Sequence, residues 1–401
     1  MVSLEKERRS RRLILNISFF AGFFTFYYAF SILAIPQAVA SSGDIETATI
    51  QAGFSLVIAL SLVISSLLVK NFQVKLILLS SLITAIALLL LLFDNVLVSV
   101  VSIAIIGFFF AVGQLTSFVY FWRSTEAEQR GRTGGIVGSV SLVFYLLAIY
   151  AVAVNVGFST VIGLCLVTNF VAPAAILILK PGRQTIVSNL QEQYYPEKRV
   201  VILYAVPWVL FSLLNATLAR NISVNTQTLF SPLFIFSMSI LQIVAALIGA
   251  LFGGLVADYI GRRPTLAISM TLYGISMLLQ AILVSEAVFV FKYIAEGMSW
   301  GIFLTLYSFV IWGDLSNAKN VAKMYSIGLI VFYATAAIGQ MPSLLSEIPF
   351  VMSALISSVV IFLSNLPIVL APELLPPAIQ EKARLRNYIR TVKKLSGKQK
   401  D

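Results

Sequence analysis

The sequence predicts an all-α integral membrane protein with twelve transmembrane helices in two pseudo-symmetric six-helix bundles. Three observations predict this fold class: the apolar composition, twelve long apolar runs, and one long polar interval in the middle of the chain. Of the 401 residues, 59% are hydrophobic and only 11% are charged, and the mean hydropathy is +0.94. A soluble domain carries about 25% charged residues, so this chain cannot cover a surface that faces water.

The apolar runs are helices rather than barrel strands. A helix needs about 20 apolar residues to cross a ~30 Å hydrocarbon core, whereas a barrel strand needs only about 10 residues of alternating pattern. The predicted spans are 13–35, 49–69, 74–93, 96–122, 133–155, 159–179, 200–219, 232–257, 265–284, 287–312, 322–345 and 350–371.

The polar interval 180–199 divides the spans into six and six. Internal repeats of this kind place the substrate site of a transporter between the two repeats. The predicted organisation is a basic amino-terminal segment, a first bundle, a central cytoplasmic loop, a second bundle and a basic cytoplasmic tail, over 1–12, 13–179, 180–199, 200–372 and 373–401.

Basic residues set the predicted orientation, since cytoplasmic loops are enriched in Lys and Arg. All but two of the 28 Lys and Arg residues fall at the chain ends, in the connections after even-numbered spans, or within two residues of those connections; the exceptions are Arg220 and Lys292. We therefore expect a multi-pass protein of the plasma membrane with both termini cytoplasmic. The net charge of +11 is then explained by topology and anionic lipid rather than by nucleic acid.

Composition also limits the catalytic and metal-binding sites that the chain can form. The chain has no His, which removes imidazole metal ligands and Ser-His or Cys-His dyads. Its one cysteine, Cys165, cannot form an intramolecular disulfide. There is no P-loop, so we expect neither an enzyme nor an ATP-driven pump, and no metal or cofactor.

The two chain ends are both basic. The first span follows five basic residues but lacks a clear cleavage site, so a retained helix is expected rather than a removed signal peptide. In the tail, apolar residues recur at roughly helical spacing, which fits either an amphipathic helix on the inner membrane surface or a disordered basic tail; they are Leu385, Tyr388, Ile389, Val392 and Leu395.

The most specific motif follows the eighth span and reads Gly-x-x-x-Asp-x-x-Gly-Arg-Arg, formed by Gly254, Asp258, Gly261, Arg262 and Arg263. Gly254 permits close approach of another helix, and Gly261 permits a tight turn. Asp258 can accept hydrogen bonds from free amides at a helix start, where the macrodipole favours an anion. The arginines can pair with a carboxylate across the cytoplasmic mouth.

This stretch resembles the loop signature of the major facilitator superfamily. Two weaker similarities are to sugar and organic-acid porters of that family: the acidic and basic stretch from Glu126 through Arg132 before the fifth span, and Asp314 with Lys323 after the tenth span. The resemblance implies two bundles that alternately open one central site to either side of the membrane.

The resemblance also implies a cytoplasmic gate that includes Glu126 and Arg130. Asp258 would meet the start of the fifth helix near Gly134 and Gly135, and Arg262 or Arg263 would pair with Asp314. These contacts are expected in the outward-open state and broken when the inner mouth opens.

The corresponding loop of the first half is degenerate. Aligning Ser66 with Gly254 places Lys70 where Asp258 stands and Gln73 where Gly261 stands. We therefore expect an asymmetric gate, without an aspartate latch in the first half.

Two ionisable residues lie inside the predicted membrane region, where a charge costs about 2.5–3.5 kcal/mol at the helix centre. Lys292 and Glu296 are four residues apart in the tenth span, on one helix face. In one interpretation Glu296 carries the coupled proton, and Lys292 tunes it or receives an anionic substrate group. In the other, the two form a structural ion pair, or Lys292 only extends its ammonium group towards the membrane surface. Proton-coupled sugar porters carry an acid in their first helix, and this chain has none there.

Further polar or aromatic residues inside spans are candidates for lining a cavity, although each can instead tie two helices together. They are Tyr27, Tyr28, Gln114, Asn215, Gln242, Trp300 and Gln340.

The sequence thus predicts a secondary transporter, acting as a monomer, that moves a small organic solute with protons. A sugar, a carboxylate or a similar metabolite is expected, and Lys292 favours an anion. The alternatives are efflux of amphipathic drugs or metabolites, suggested by the aromatic first half, and a membrane sensor that does not transport.

Overall fold

The computed structural model describes residues 2–39, 44–69, 73–93, 95–153, 157–180, 197–341, 348–375 and 381. Within these ranges the chain forms twelve long helices. The first six are α1 Val2–Tyr28 with its continuations Ala29–Ala34 and Ile35–Ala38, α2 Asp44–Leu68, α3 Val74–Leu90, α4 Val96–Ser124, α5 Arg130–Ala153 and α6 Phe158–Leu179. The second six are α7 Lys198–Leu214 with its continuations Asn215–Ala219 and Arg220–Leu229, α8 Pro232–Tyr259, α9 Arg262–Ile282, α10 Glu286–Phe303 with its continuations Leu304–Val310 and Ile311–Asp314, α11 Val321–Gln340 and α12 Phe350–Leu370.

The length and apolar composition of these helices are those of membrane-spanning helices. In the described part of the chain, ten helices are long and apolar enough to cross a membrane, and α3 is apolar but shorter. With α5 they make the predicted twelve, so the predicted fold class is confirmed. Because successive helices run in opposite directions, the start of α1, the end of α12 and every connection after an even-numbered helix lie on one face. We call it the terminal face.

Two helices extend well beyond their predicted spans. α1 begins at Val2 because the charged residues before the apolar run are good helix formers. α7 continues to Leu229 through the polar segment Arg220–Leu229. Hydropathy began the first span too late and ended the seventh too early, since it detects the apolar part of a helix and not the polar turns that extend it.

Several predictions lie outside the described residues. The structure describes neither 181–196 of the central loop nor the tail residues 382–401, for which an amphipathic helix or a disordered tail is predicted. It also omits Lys70 of the degenerate first-half loop.

Three helices contain a wide π-helical turn. These turns are Ala29–Ala34 in α1, Asn215–Ala219 in α7 and Leu304–Val310 in α10. A π turn leaves backbone groups unpaired, and side chains bind two of the carbonyls: Gln51 Nε2 donates to Ser31 O at 2.8 Å, and Tyr325 Oη donates to Phe309 O at 2.8 Å. Such turns are frequent at functional sites.

The packing repeats between the two halves. In the first half α2 packs on α4, α3 on α4 and α6, and α1 on α5 and α6; in the second half α8 packs on α10, α9 on α10 and α12, and α7 on α11 and α12. Helices α5 with α8, and α2 with α11, join one half to the other. The two bundles are therefore pseudo-symmetric.

Small residues allow the closest crossing, between α8 and α10. A Cβ atom added at Gly297 would meet the Gln242 carbonyl, and one added at Gly301 would meet the Ala246 carbonyl and lie 2.5 Å from the Ala250 nitrogen. Without a hydrophobic driving force in lipid, such close backbone packing is a main source of helix association.

This crossing predicts the effect of Gly301→Ala. The added methyl group has no room, so we expect the variant to lose about 1–3 kcal/mol of stability and to melt at a lower temperature when purified in detergent. The matched control is Gly163→Ala in α6, where an added Cβ atom has no atom within 4 Å. The control should be neutral or stabilised by about 0.5–1 kcal/mol. Equal melting temperatures for the two variants would contradict the prediction.

Candidate functional site

Four charged side chains are buried together at the terminal face: Arg130, Asp258, Arg262 and Asp314, here called the charge cluster. Arg262 lies 2.8 Å from Asp258 (Nη1 to Oδ1) and 3.0 Å from Asp314 (Nε to Oδ2). Arg130 pairs with the other oxygen of Asp314. No side chain in the cluster is more than 7% exposed. Arg130 belongs to the first half and the other three to the second, so Asp314 joins the halves by binding two arginines.

Arg262 makes further contacts that hold the halves together. Its Nη2 donates to Ala127 O of the first half at 2.6 Å, and its Nη1 donates to Ala257 O at 2.5 Å. Of the two arginines that the resemblance implied as partners of Asp314, the structure therefore places Arg262 there. The planar guanidinium suits this role because it presents several donors in a fixed geometry.

Asp258 binds the start of α5, one turn earlier than expected. Its Oδ1 accepts from Gly131 N at 3.0 Å and its Oδ2 from Arg132 N at 2.7 Å. Gly134 and Gly135 instead face Phe309 and the Ala250 carbonyl. The reason is that free amides occur only in the first turn of a helix, and α5 begins at Arg130.

The two glycines of the motif, Gly254 and Gly261, allow the backbone to adopt the positions that these contacts require. An added Cβ atom at Gly254 would meet the Gly131 carbonyl, so only glycine lets α8 lie this close to α5. Gly261 has φ +126°, a backbone conformation that other residues rarely adopt. It turns the chain from α8 into α9 and presents the first amides of α9.

Glu373, which sequence reasoning missed, binds those amides. It accepts from Arg262 N at 2.7 Å and from Arg263 N at 3.1 Å. The Arg263 side chain reaches Ala371 O at 3.2 Å, so Arg263 binds the end of α12 rather than Asp314. The available signal was an isolated acid directly after the last apolar span.

Glu126 does not join the charge cluster. Its side chain is exposed, and its contact is with Gln129 in the same short turn, at 3.4 Å. Arg130, which the resemblance placed in the same gate, is fully buried.

An aromatic layer lies next to the charge cluster, also between the halves. Phe309, from the π turn of α10, packs against Phe20, Phe118 and Phe121 of the first half with ring centroids 4.7, 5.7 and 5.0 Å away. Trp122 Nε1 of the first half donates to Gly313 O of the second at 2.8 Å. The halves are therefore in close contact at the terminal face.

A second group, here called the central cluster, joins the halves at mid-helix. Tyr333 Oη of α11 donates to Gln114 Oε1 of α4 at 2.9 Å, and the Tyr333 ring lies 5.2 Å from that of Tyr27. Phe110 and Phe332 pack on Tyr27 at 5.9 and 6.4 Å. The structure thus brings two predicted candidates, Tyr27 and Gln114, together around Tyr333, a residue that apolar patterning did not single out.

Lys292 and Glu296 form a buried ion pair within the second half. Their Nζ and Oε2 atoms are 2.6 Å apart, and the side chains are 7% and 8% exposed. The Lys292 ammonium also lies 4.2 Å from the centre of the Tyr293 ring.

The remaining candidates divide into two sets. Asn215 and Trp300 make side-chain contacts within the second half: Asn215 Oδ1 accepts from Tyr273 Oη at 2.9 Å, and the Trp300 ring packs on Phe211 at 4.9 Å. The others lie elsewhere: Tyr28 packs on Tyr145 of α5 at 4.2 Å, Gln242 stands at the α8–α10 crossing, and Gln340 is the last residue of α11. Among the described residues, no group of three or more His, Cys, Asp or Glu can hold a metal ion.

The charge cluster predicts a large effect of Asp314→Asn. The variant leaves two buried arginines without their shared counter-ion, and breaking a buried pair costs on the order of 3–5 kcal/mol. We expect a clear fall in melting temperature in detergent. Glu126→Gln, at the exposed acid of the same face, should melt like wild type. An unchanged melting temperature for Asp314→Asn would show that the cluster does not stabilise the fold.

Comparisons with known proteins rest on structure. The sequence matches no protein-family profile and no curated protein. The fold is similar to the human organic anion transporter MFSD10 (TETRAN), with a TM-score of 0.67 and 11% identity over 90% of this chain and 99% of that one. It is similar to a bacterial homologue of the iron transporter ferroportin in an outward-facing state, with a TM-score of 0.67 and 13% identity over 90% and 98%. It is also similar to the proton:xylose symporter XylE of the major facilitator superfamily, with a TM-score of 0.66 and 13% identity over 90% and 96%. The chain therefore has the fold of the major facilitator superfamily transporters.

Proposed function

We propose that this protein is a secondary active transporter that moves a small organic solute across the membrane by alternating access. The observation that carries the proposal is the set of contacts between the two halves at the terminal face. Two pseudo-symmetric bundles meet at the terminal face through ion pairs, hydrogen bonds and ring contacts that can all be broken and remade. Proteins with this fold include transporters of an organic anion and of xylose with protons.

The charge cluster is the gate in this proposal. We infer from the placement of Lys and Arg that the terminal face is cytoplasmic. In this proposal the structure corresponds to the closed gate, because Asp314 binds Arg130 of the first half and Asp258 binds the amides of α5. Opening towards the cytoplasm requires the release of both contacts together with the Phe309 layer.

A cysteine at Gly138 tests this gate. An added Cβ atom there would lie 3.7 Å from Leu304, Thr305 and Phe309, so a small side chain fits and is covered by the closed gate. In a Cys165→Ser background, Gly138→Cys should react slowly with a thiol reagent applied at the terminal face. Adding Asp314→Asn should raise the labelling rate several-fold.

One control variant makes the labelling result decisive. Adding Glu126→Gln instead should leave the labelling rate unchanged, because its side chain is outside the charge cluster. If Asp314→Asn does not raise the rate above this control, the cluster is not a gate.

The central cluster is the proposed position of the substrate. Tyr27 and Tyr333 offer rings and hydroxyls, and Gln114 offers an amide, at the contact between the halves. A small polar solute with an apolar face, such as a sugar or a carboxylate, matches rings flanked by hydrogen-bonding groups. The density of rings around Tyr27 also favours a second candidate, the efflux of an amphipathic drug or metabolite.

Proton coupling is assigned to Glu296. The carboxylate is buried and neutralised by Lys292, so its protonation leaves Lys292 without a counter-ion. An anionic group of the substrate can then replace the carboxylate as the partner of Lys292. This exchange gives a physical reason for a proton and an anionic solute to move together.

Uptake by proteoliposomes under an imposed proton gradient tests the proposal. Sugars and carboxylates are screened with wild type, Glu296→Gln and Glu286→Gln; Glu286 is an exposed acid in the first turn of the same helix. We expect wild type and Glu286→Gln to accumulate one solute class. Glu296→Gln should accumulate no more than is reached without a gradient.

The outcomes separate transport from coupling. Equal gradient-driven accumulation by Glu296→Gln would show that Glu296 and Lys292 form only a structural pair. If no compound crosses with any variant, small-solute uptake is rejected, and amphipathic efflux is measured next.

A further inference from the structure

The hydrogen bond between Tyr333 and Gln114 crosses the proposed substrate position. Tyr333 Oη of α11 donates to Gln114 Oε1 of α4 at 2.9 Å. The two residues are only 2% and 1% exposed, so water does not compete for this bond in the closed structure. Because α4 belongs to the first half and α11 to the second, the bond joins the two halves directly at mid-helix.

The aromatic rings around this bond leave no room for a solute while the bond is intact. The ring centroids of Tyr27, Phe110 and Phe332 lie 5.2, 6.3 and 5.1 Å from that of Tyr333. These are contact distances for aromatic pairs. A solute that enters between the halves at this position must therefore separate Tyr333 from Gln114.

The separation leaves one donor and one acceptor without a partner. The Tyr333 hydroxyl loses the acceptor of its proton, and the Gln114 amide oxygen loses its donor. If the amide of Gln114 is turned over, the two roles are exchanged between the residues, but one donor and one acceptor remain. When the halves enclose the solute and exclude water, the solute itself has to satisfy both groups.

This requirement distinguishes between classes of solute. An ionised carboxylate has only acceptors and an ammonium group has only donors, so either leaves a buried group unpaired. The residues of the central cluster are also uncharged, so an ionised group placed among them is buried without a counter-ion. A hydroxyl group is neutral and both donates and accepts. It therefore replaces the bond between Tyr333 and Gln114 at the lowest cost.

We propose that Gln114 and Tyr333 are the specificity-determining pair of this transporter and that they select a hydroxyl group of the solute. The proposal rests on the transport function and on the substrate position given above. The solute class is then a hydroxylated compound such as a sugar. Carboxylates without a hydroxyl group and alkylamines are excluded, and any anionic group of the solute lies outside the central cluster.

Binding to the purified protein in detergent tests the proposal. The probes are pentoses and hexoses, the analogues of each that lack one hydroxyl group, short carboxylates without a hydroxyl group, and alkylamines. Affinities are obtained from the rise in melting temperature with probe concentration. We expect a sugar to bind wild type, and one of its deoxy analogues to bind at least about tenfold more weakly, because a buried group then stays unpaired.

Two variants show whether this difference depends on the pair. In Gln114→Met and in Tyr333→Phe, the sugar should bind about tenfold more weakly than in wild type, and the sugar and its deoxy analogue should bind about equally. A purely structural role would weaken both compounds by the same factor. Gln340→Met is the matched control, because Gln340 is the last residue of α11; it should keep the wild-type difference. If Tyr333→Phe does not fold, Gln114→Met decides the question.

Three results would overturn the proposal. The first is a carboxylate without a hydroxyl group, or an alkylamine, that binds as tightly as the best sugar. The second is a difference between sugar and deoxy analogue that persists in both Gln114→Met and Tyr333→Phe. The third is that no sugar binds. Failure of the transport function is seen separately, as sugar binding without flux of any solute in proteoliposomes, whereas flux of a simple carboxylate alone contradicts only the selection of a hydroxyl group.

Discussion

The burial of charge at one face of the bundle is the constraint on which the rest of the structure depends. Asp314 is bound by two arginines from different halves, and all three side chains are almost completely shielded from water. A charge buried in this way is stable only while its partners stay in place. The position of α5 relative to α8 and α10 is therefore fixed by electrostatics as well as by packing.

Glycine residues allow the charge cluster to form in two ways. Glycine at 131, 135 and 254 brings the α5 and α8 backbones close enough for Asp258 to reach free amides. Gly261 turns the chain so that Arg262 can contact both carboxylates while Glu373 holds its backbone. The same residue, Arg262, is thus fixed at its main chain by the end of α12 and at its side chain by both halves.

The sequence predicted the fold and much of this cluster, because apolar length, basic loops and the glycine-aspartate-arginine spacing are local signals. It paired Arg262 with Asp314 among its alternatives, and it placed Asp258 at the correct helix but one turn too late. It missed Glu373, Tyr273 and Tyr333. One acid after a span, or one tyrosine inside it, carries no pattern of its own. The roles of these residues arise only when distant helices meet.

The small-residue crossings also affect how the molecule can move. Long interlocking side chains would have to change rotamer whenever one helix shifts against another. At Gly131, Gly135 and Gly254, backbone lies directly on backbone, and the contact surface is smooth on the scale of a methyl group. Relative sliding of the two halves therefore meets little steric friction along this line. Any such movement would have to separate the buried opposite charges of the cluster, which dissolved salt screens much less than it screens exposed charges.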